Sequence, residues 1–144
     1  MITKLLKPNT QTTYASVALL ILRLIAGSAM IIHGWGKIQM PMGWLPEGAN
    51  INISPFFQLL AAVSEFCGGI AWILGILTPL ASFGMSITML VAASVHMFIF
   101  KDPFVNLSGG LSYEPAMGYF AMSLVLMFVG PGKFSADKVI FGEK

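Results

Sequence analysis

RLIAGSAMIIHGWGK, residues Arg23 to Lys37, opens on an arginine eight residues into an apolar run that begins near Ala15, and it closes on His-Gly-Trp-Gly-Lys. Whether that arginine belongs to a soluble helix or sits inside hydrocarbon decides the fold. Of the 144 residues, 56% are hydrophobic and 10% are charged, and the mean hydropathy is +0.81. Soluble domains carry roughly 25% charged residues, because a surface facing water needs them. This chain lacks that surface, so its solvent is a lipid bilayer. The net charge of +2 is small, and no run of Lys or Arg forms a phosphate-binding stripe, which argues against nucleic acid as a partner.

Working outward from Arg23, four apolar runs can be marked: Ala15–Ile32, Pro55–Leu77, Pro79–Phe100 and Tyr113–Val129. A membrane helix needs about 17–25 such residues, and all four runs fall in or near that range. Strand-like alternation is absent, and a spanning segment must pair its backbone groups within itself. The runs predict an all-α, four-transmembrane-helix bundle forming a single domain over residues 1–144. The second and third runs meet at Leu77-Thr78-Pro79, which predicts a tight hairpin with Pro in the first turn of the third helix. A cleaved signal peptide is the competing reading of the first run, since Lys4 and Lys7 precede it. A signal core is roughly 7–15 uninterrupted apolar residues, and Arg23 splits this one, so the run reads as a retained helix.

Four spans put the N-terminus, the Thr78 hairpin and the C-terminus on one side, with Lys4, Lys7, Lys133, Lys138 and Lys144. The other side has Lys37 and Lys101. The positive-inside bias places both termini on the cytoplasmic side and the loops Ile38–Ser54 and Lys101–Ser112 outside. Counting at 1.5 Å per residue puts Arg23 about 15 Å below His33 and Glu65 about 15 Å below Pro55. The two charges thus share a depth near the midplane, and an Arg23–Glu65 ion pair is expected. A lone buried charge costs at least ~2.5–3.5 kcal/mol on insertion scales, and pairing removes much of that. The faces agree, since Arg23, Gly27, Met30 and Gly34 lie within about 40° of one another on a helix. Ala61, Glu65, Gly68, Gly69 and Trp72 form a matching stripe, and small residues beside a charge suit close helix approach. The pair serves either as a structural clamp or as a proton or substrate relay.

The outer end carries more chemistry. His33 and Lys37 close the first helix, His96 lies near the end of the third with Lys101 and Asp102 beyond, and Glu114 opens the fourth beside Tyr113. Two imidazoles and a carboxylate at one level could move protons near neutral pH or bind a metal, or could hold two outer loops in place. Trp35, Trp44 and Tyr113 read as an interfacial aromatic belt. Copper(I) would suit His33 and His96 with Met40, Met42 and Met97, but no metal-ligand spacing supports it, and no metal is expected. Methionines in an apolar chain are mostly packing material. Cys67 is the single cysteine, which excludes exchange by a vicinal pair. No glycine-rich nucleotide motif is present, so no tightly bound nucleotide is expected.

The ordered set resembles the DoxX family of small bacterial membrane proteins over about Leu22 to Asp137. It comprises Arg23 followed by His33-Gly34-Trp35-Gly36-Lys37, then Glu65-Phe66-Cys67-Gly68-Gly69, Gly75 and Thr78. His96, Tyr113-Glu114 and the ending Gly130-Pro131-Gly132-Lys133-Phe134-Ser135-Ala136-Asp137 complete it. Pro79 departs from the pattern, where relatives often carry an arginine. The resemblance implies a four-helix protein of the bacterial inner membrane, and better-described members are linked to quinone-dependent oxidation of sulfur compounds. Three functions follow as expectations. In the first, the chain is a quinone-linked oxidoreductase subunit without a tightly bound cofactor. His33, His96 and Glu114 then exchange protons, Arg23, Glu65, Lys37, Trp35 and Tyr113 line the ligand site, and the Arg23–Glu65 pair floors it. In the second, the chain is a non-catalytic anchor for a soluble partner enzyme. In the third, it is a small carrier working as a homo-oligomer. A faint echo between His33-x-x-x-Lys37 and His96-x-x-x-x-Lys101 adds the expectation that both histidines flank one outer cavity.

Overall fold

The computed structural model describes residues 8–46, 48–49 and 51–142, and among them it is all-helical. Helix α1 spans Thr13–Gln39, α2 Pro55–Leu74, α3 Thr78–Ser94 with a π-helical continuation over Val95–Phe100, α4 Glu114–Phe128 and α5 Ala136–Phe141. The boundaries follow local chemistry. Thr12 caps α1, its hydroxyl accepting from Ala15 N, and Pro55 supplies the preset φ at the start of α2. Gly75, at φ 64°, ends α2 in the left-handed region, with Gly75 N bonding to Trp72 O and Ile76 N to Ala71 O. Two residues later α3 begins at Thr78 with Pro79 in its first turn, as expected for the hairpin.

Three helices are long and apolar enough to cross a membrane: α1, α2, and α3 with its π-helical extension. The fourth is shorter than its apolar run implied. Its 15 residues extend about 22 Å, against a hydrocarbon core of about 30 Å. After α4 the chain leaves the helix and folds inward, with Gly130, Pro131 and Gly132 buried. Asn9 donates to Phe128 O, and Lys133 N donates to the Ser16 hydroxyl. The start of α1, the Gly75–Thr78 hairpin and the end of α4 therefore meet at one end of the molecule, the hairpin end. The α1–α2 and α3–α4 loops form the other, the loop end.

Helices α1 to α4 share one core built from Leu19, Ala26 and Met30 of α1, Trp72 of α2, Met85 and Met89 of α3, and Leu126 of α4. Trp72 is fully buried and donates its indole N–H to Ser82 Oγ at 2.9 Å. Helices α1 and α2 meet backbone to backbone. A methyl group on Gly27 would lie 2.7 Å from Gly69 O, and one on Gly34 would lie 2.5 Å from Phe66 N. Ile21, Ile25 and Ile32 on α1 and Leu80 and Phe83 on α3 point outward. A bilayer can cover such apolar faces where water cannot.

The Gly27–Gly69 contact also sets the register, and the register corrects the expected Arg23–Glu65 pair. In an antiparallel pair, Arg23 lies four residues from Gly27 toward the hairpin end, and Glu65 lies four residues from Gly69 toward the loop end. The two charges are thus about 12 Å apart along the bundle axis. The error came from ending the first helix near His33. It runs on to Gln39, about 9 Å farther, which brings Lys37 rather than Arg23 to the level of Glu65. Arg23 is 1% exposed and donates to three carbonyls, Pro131 O at 2.6 Å, Phe134 O at 2.9 Å and Ile73 O at 3.3 Å. It closes the non-helical backbone that follows α4. Irregular backbone in a membrane protein persists only where its polar groups are satisfied within protein. Asp137 completes this closure. Its carboxylate accepts from Leu77 N at 2.6 Å and Thr78 N at 2.8 Å, capping α3 from a distant part of the chain. Its own N–H donates to Gly75 O.

Candidate functional site

At the loop end, α1 and α2 bring Lys37 and Glu65 together. Lys37 Nζ lies 2.6 Å from Glu65 Oε1, with the lysine side chain 28% exposed and the glutamate 4%. The α1–α2 loop is fastened over this pair by Gln58. The Gln58 side chain accepts from Leu45 N and donates to Ile53 O, while its backbone carbonyl accepts the indole N–H of Trp44 at 2.9 Å. Trp44 is thereby held with its ring 4.6 Å from Lys37 Nζ, a cation–π contact.

Beneath the loop, between α2 and α3, lies a cleft of about 970 Å³. Its walls are predominantly apolar, including Phe57, Leu60, Ile87 and Val91, and Lys37, Glu65 and His96 also line it. Oε2 of Glu65 is buried and has no hydrogen-bond partner among the described residues. His96 sits in the π-helical turn, a wider coil that often marks functional positions in helices. Its Nδ1 is 2.7 Å from Asp102 Oδ2, and Asp102 N donates to His96 O. Lys101, at φ 58°, turns the chain so that Asp102 folds back onto the ring. An imidazole backed by a carboxylate through one nitrogen has its tautomer and orientation set, leaving the second nitrogen for chemistry.

The remaining expected site residues lie elsewhere. Arg23 does not line the cleft and so does not floor it. His33 is exposed, packs edge-on to Tyr119 of α4 at 6.3 Å, and does not line the cleft that His96 lines, so the two histidines do not share this cavity. Glu114 is exposed at the start of α4, with its N–H on Phe104 O. Among the described residues no three His, Cys, Asp or Glu side chains gather in a way that could hold a metal ion, so His33, His96 and Glu114 do not form such a cluster. Trp35 is 58% exposed and packs on Phe66, and Tyr113 packs on Phe104 at the entrance to α4. Cys67 is exposed. Sequence reasoning missed the roles of Asp102, Gln58 and Asp137. The six-residue spacing of His96 and Asp102 is not a regular-helix spacing, and the left-handed turn at Lys101 after the π-helical stretch brings the two together.

The DoxX family matches residues 18–101, more than half of the chain. The chain belongs to the DoxX family. The matched segment holds Arg23, Lys37, Glu65 and His96, and it ends one residue before Asp102. Over 125 residues the chain is 29% identical to Inner membrane protein YqjF of Escherichia coli, covering 86% of this chain and 92% of that protein. It is 30% identical over 141 residues to an uncharacterized protein of Haemophilus influenzae, covering 92% of this chain and 98% of that one. No solved structure matches it. As a DoxX member with three helices able to cross a bilayer, the protein is a multi-pass inner membrane protein.

Proposed function

We propose that this DoxX protein crosses the membrane four times, with both termini in the cytoplasm, and that its outer cleft binds a quinone-type molecule. In this reading it is the quinone-binding subunit of an oxidoreductase acting on sulfur or thiol compounds at the outer face. The observation that carries the reading is the cleft itself. A space of about 970 Å³, apolar along its walls and with a cation–carboxylate pair and an imidazole on them, matches the usual construction of small-molecule sites: hydrophobic lining with a few placed polar groups.

The residues present fit such a group. Phe57, Leu60, Ile87 and Val91 offer the apolar surface a ring and its tail require. Lys37 supplies a donor, and its bond to Glu65 together with the Trp44 ring keeps it in one place. The Asp102 carboxylate accepts from His96 Nδ1, which leaves Nε2 to give or take a proton at the ligand oxygen. A bound quinone supplies the two-electron acceptor; the chain positions it, shields it from water and handles the protons. Five lysines flank the hairpin end in sequence against two at the loop end, which supports placing the cleft on the outer side.

The test is turnover of a short-chain quinone with thiosulfate or a small thiol by purified protein in lipid nanodiscs. We expect quinone reduction and a loss of about a hundredfold in rate for His96→Ala, a typical contribution for a positioned proton-transfer group. Failure to bind quinone and to turn over any donor, with the protein folded, would overturn the reading.

A further inference from the structure

Glu65 has two carboxylate oxygens in unequal circumstances. Oε1 holds Lys37 at 2.6 Å. Oε2 is buried, with no partner among the described residues, on a side chain 4% exposed that lines the cleft. A carboxylate paired with an ammonium, as Glu65 is with Lys37, accepts hydrogen bonds and donates none. Buried polar atoms in native proteins are nearly always satisfied. Glu65 belongs to the cleft lining, and a group that satisfies Oε2 must be a donor. Lys37 is engaged on the other oxygen, Trp44 donates to Gln58 O and Thr88 to Gly84 O, and the other polar lining residues, Asn52, Ser54 and His96, make no bond to Oε2.

Resting on the quinone-site reading above, we infer that Glu65 makes the cleft selective for ligands bearing a hydroxyl, the carboxylate accepting that hydroxyl through Oε2 while Lys37 fixes Oε1. The reduced, dihydroxy form of a quinone carries this donor, whereas the oxidised form presents only carbonyl acceptors. Glu65 thus binds the reduced form more tightly. By linkage, tighter binding of the reduced form raises the potential of the bound couple, by about 30 mV for each tenfold of preference in a two-electron couple. A site of this kind strengthens its quinone as an oxidant, which suits removal of electrons from an outer donor.

The experiment measures equilibrium binding of three probes to protein in lipid nanodiscs without oxygen: a short-tailed hydroquinone, its di-O-methyl ether and the matching quinone. Hydrogen bonds to charged groups contribute enough for roughly a ten- to hundredfold preference, so the hydroquinone should bind at least tenfold tighter than its ether. In Glu65→Gln the amide oxygen stays with Lys37, and the amide nitrogen then takes the place of Oε2, turning an acceptor into a donor. That variant should lose the preference for the hydroquinone and gain affinity for the quinone. Equal binding of hydroquinone and ether by the unaltered protein would overturn the inference while leaving the quinone site standing. Binding of none of the three would overturn both. The wild-type comparison decides the matter even where Glu65→Gln fails to fold.

Discussion

The two ends of this molecule use buried charge in opposite ways. At the hairpin end Arg23 is surrounded by carbonyl oxygens, and its terminal nitrogens bond to backbone from two separate segments. Asp137 likewise bonds backbone N–H groups at the start of α3. At the loop end Glu65 and Lys37 bond side chain to side chain beside a cleft, and one carboxylate oxygen has no partner among the described residues. The first arrangement uses its charges to close irregular backbone in an apolar setting, with Arg23 Nε also without a partner among the described residues. The second retains capacity for an incoming group. Buried charge in a membrane protein is therefore informative chiefly through what it bonds to. Backbone partners mark architecture, and a side-chain ion pair whose members both line a cleft marks a site.

Substitutions can break this contrast in order of expected effect. Arg23→Leu should be the most damaging, since it strands three carbonyls near the hairpin end. A loss of about 3–5 kcal/mol would show as a lower midpoint on SDS titration of the reconstituted protein. Arg23→Lys should recover part of that loss, because one ammonium cannot reach all three carbonyls. A fully stable Arg23→Leu would remove the architectural role. Next comes Gly34→Val, which forces a side chain against the Phe66 backbone. Overpacking of this kind costs about 1–3 kcal/mol, whereas Gly36→Ala, with open space around it, should change the midpoint by less than about 0.5 kcal/mol. Asp137→Ala removes the cap on α3 and should cost about 1–2 kcal/mol, read by the same titration and by faster amide exchange at Leu77 and Thr78. The smallest effect on folding should come from the double change Lys37→Met with Glu65→Gln. Removing both members of a pair leaves no stranded charge, so stability should move by less than about 1 kcal/mol while hydroquinone binding weakens at least tenfold. A large stability loss there would place Glu65 and Lys37 with Arg23 among the architectural charges.

Several features of this protein were legible in particular residues. The hairpin followed from Thr78-Pro79 after Gly75, and the buried faces of α1 and α2 followed from the spacing of Arg23, Gly27, Met30 and Gly34 and of Ala61, Glu65, Gly68, Gly69 and Trp72, all of them buried except Ala61, which is half-buried. His96 and Glu65 were singled out before their cleft was visible. The pairing of charges was not legible. Depth along a helix depends on where the helix ends, and α1 continues six residues past His33 through residues as mixed as Gly-Trp-Gly-Lys. The inward fold of Gly130–Gly132 was also hidden, because an apolar run that ends in Gly-Pro-Gly reads equally as an exit from the membrane.

What the amino-acid sequence determined alone is the solvent and the periodic faces. Too few charges for a water-facing surface and four apolar runs dictate helices in a bilayer, and glycine spacing dictates which sides meet. What only the tertiary structure decided is which charge answers which. An arginine bonds to carbonyls supplied from Ile73, Pro131 and Phe134, and a glutamate to a lysine twenty-eight residues away. Composition and periodicity are properties of local stretches. A hydrogen bond between distant segments depends on helix register, which here is set by the contact of Gly27 with Gly69.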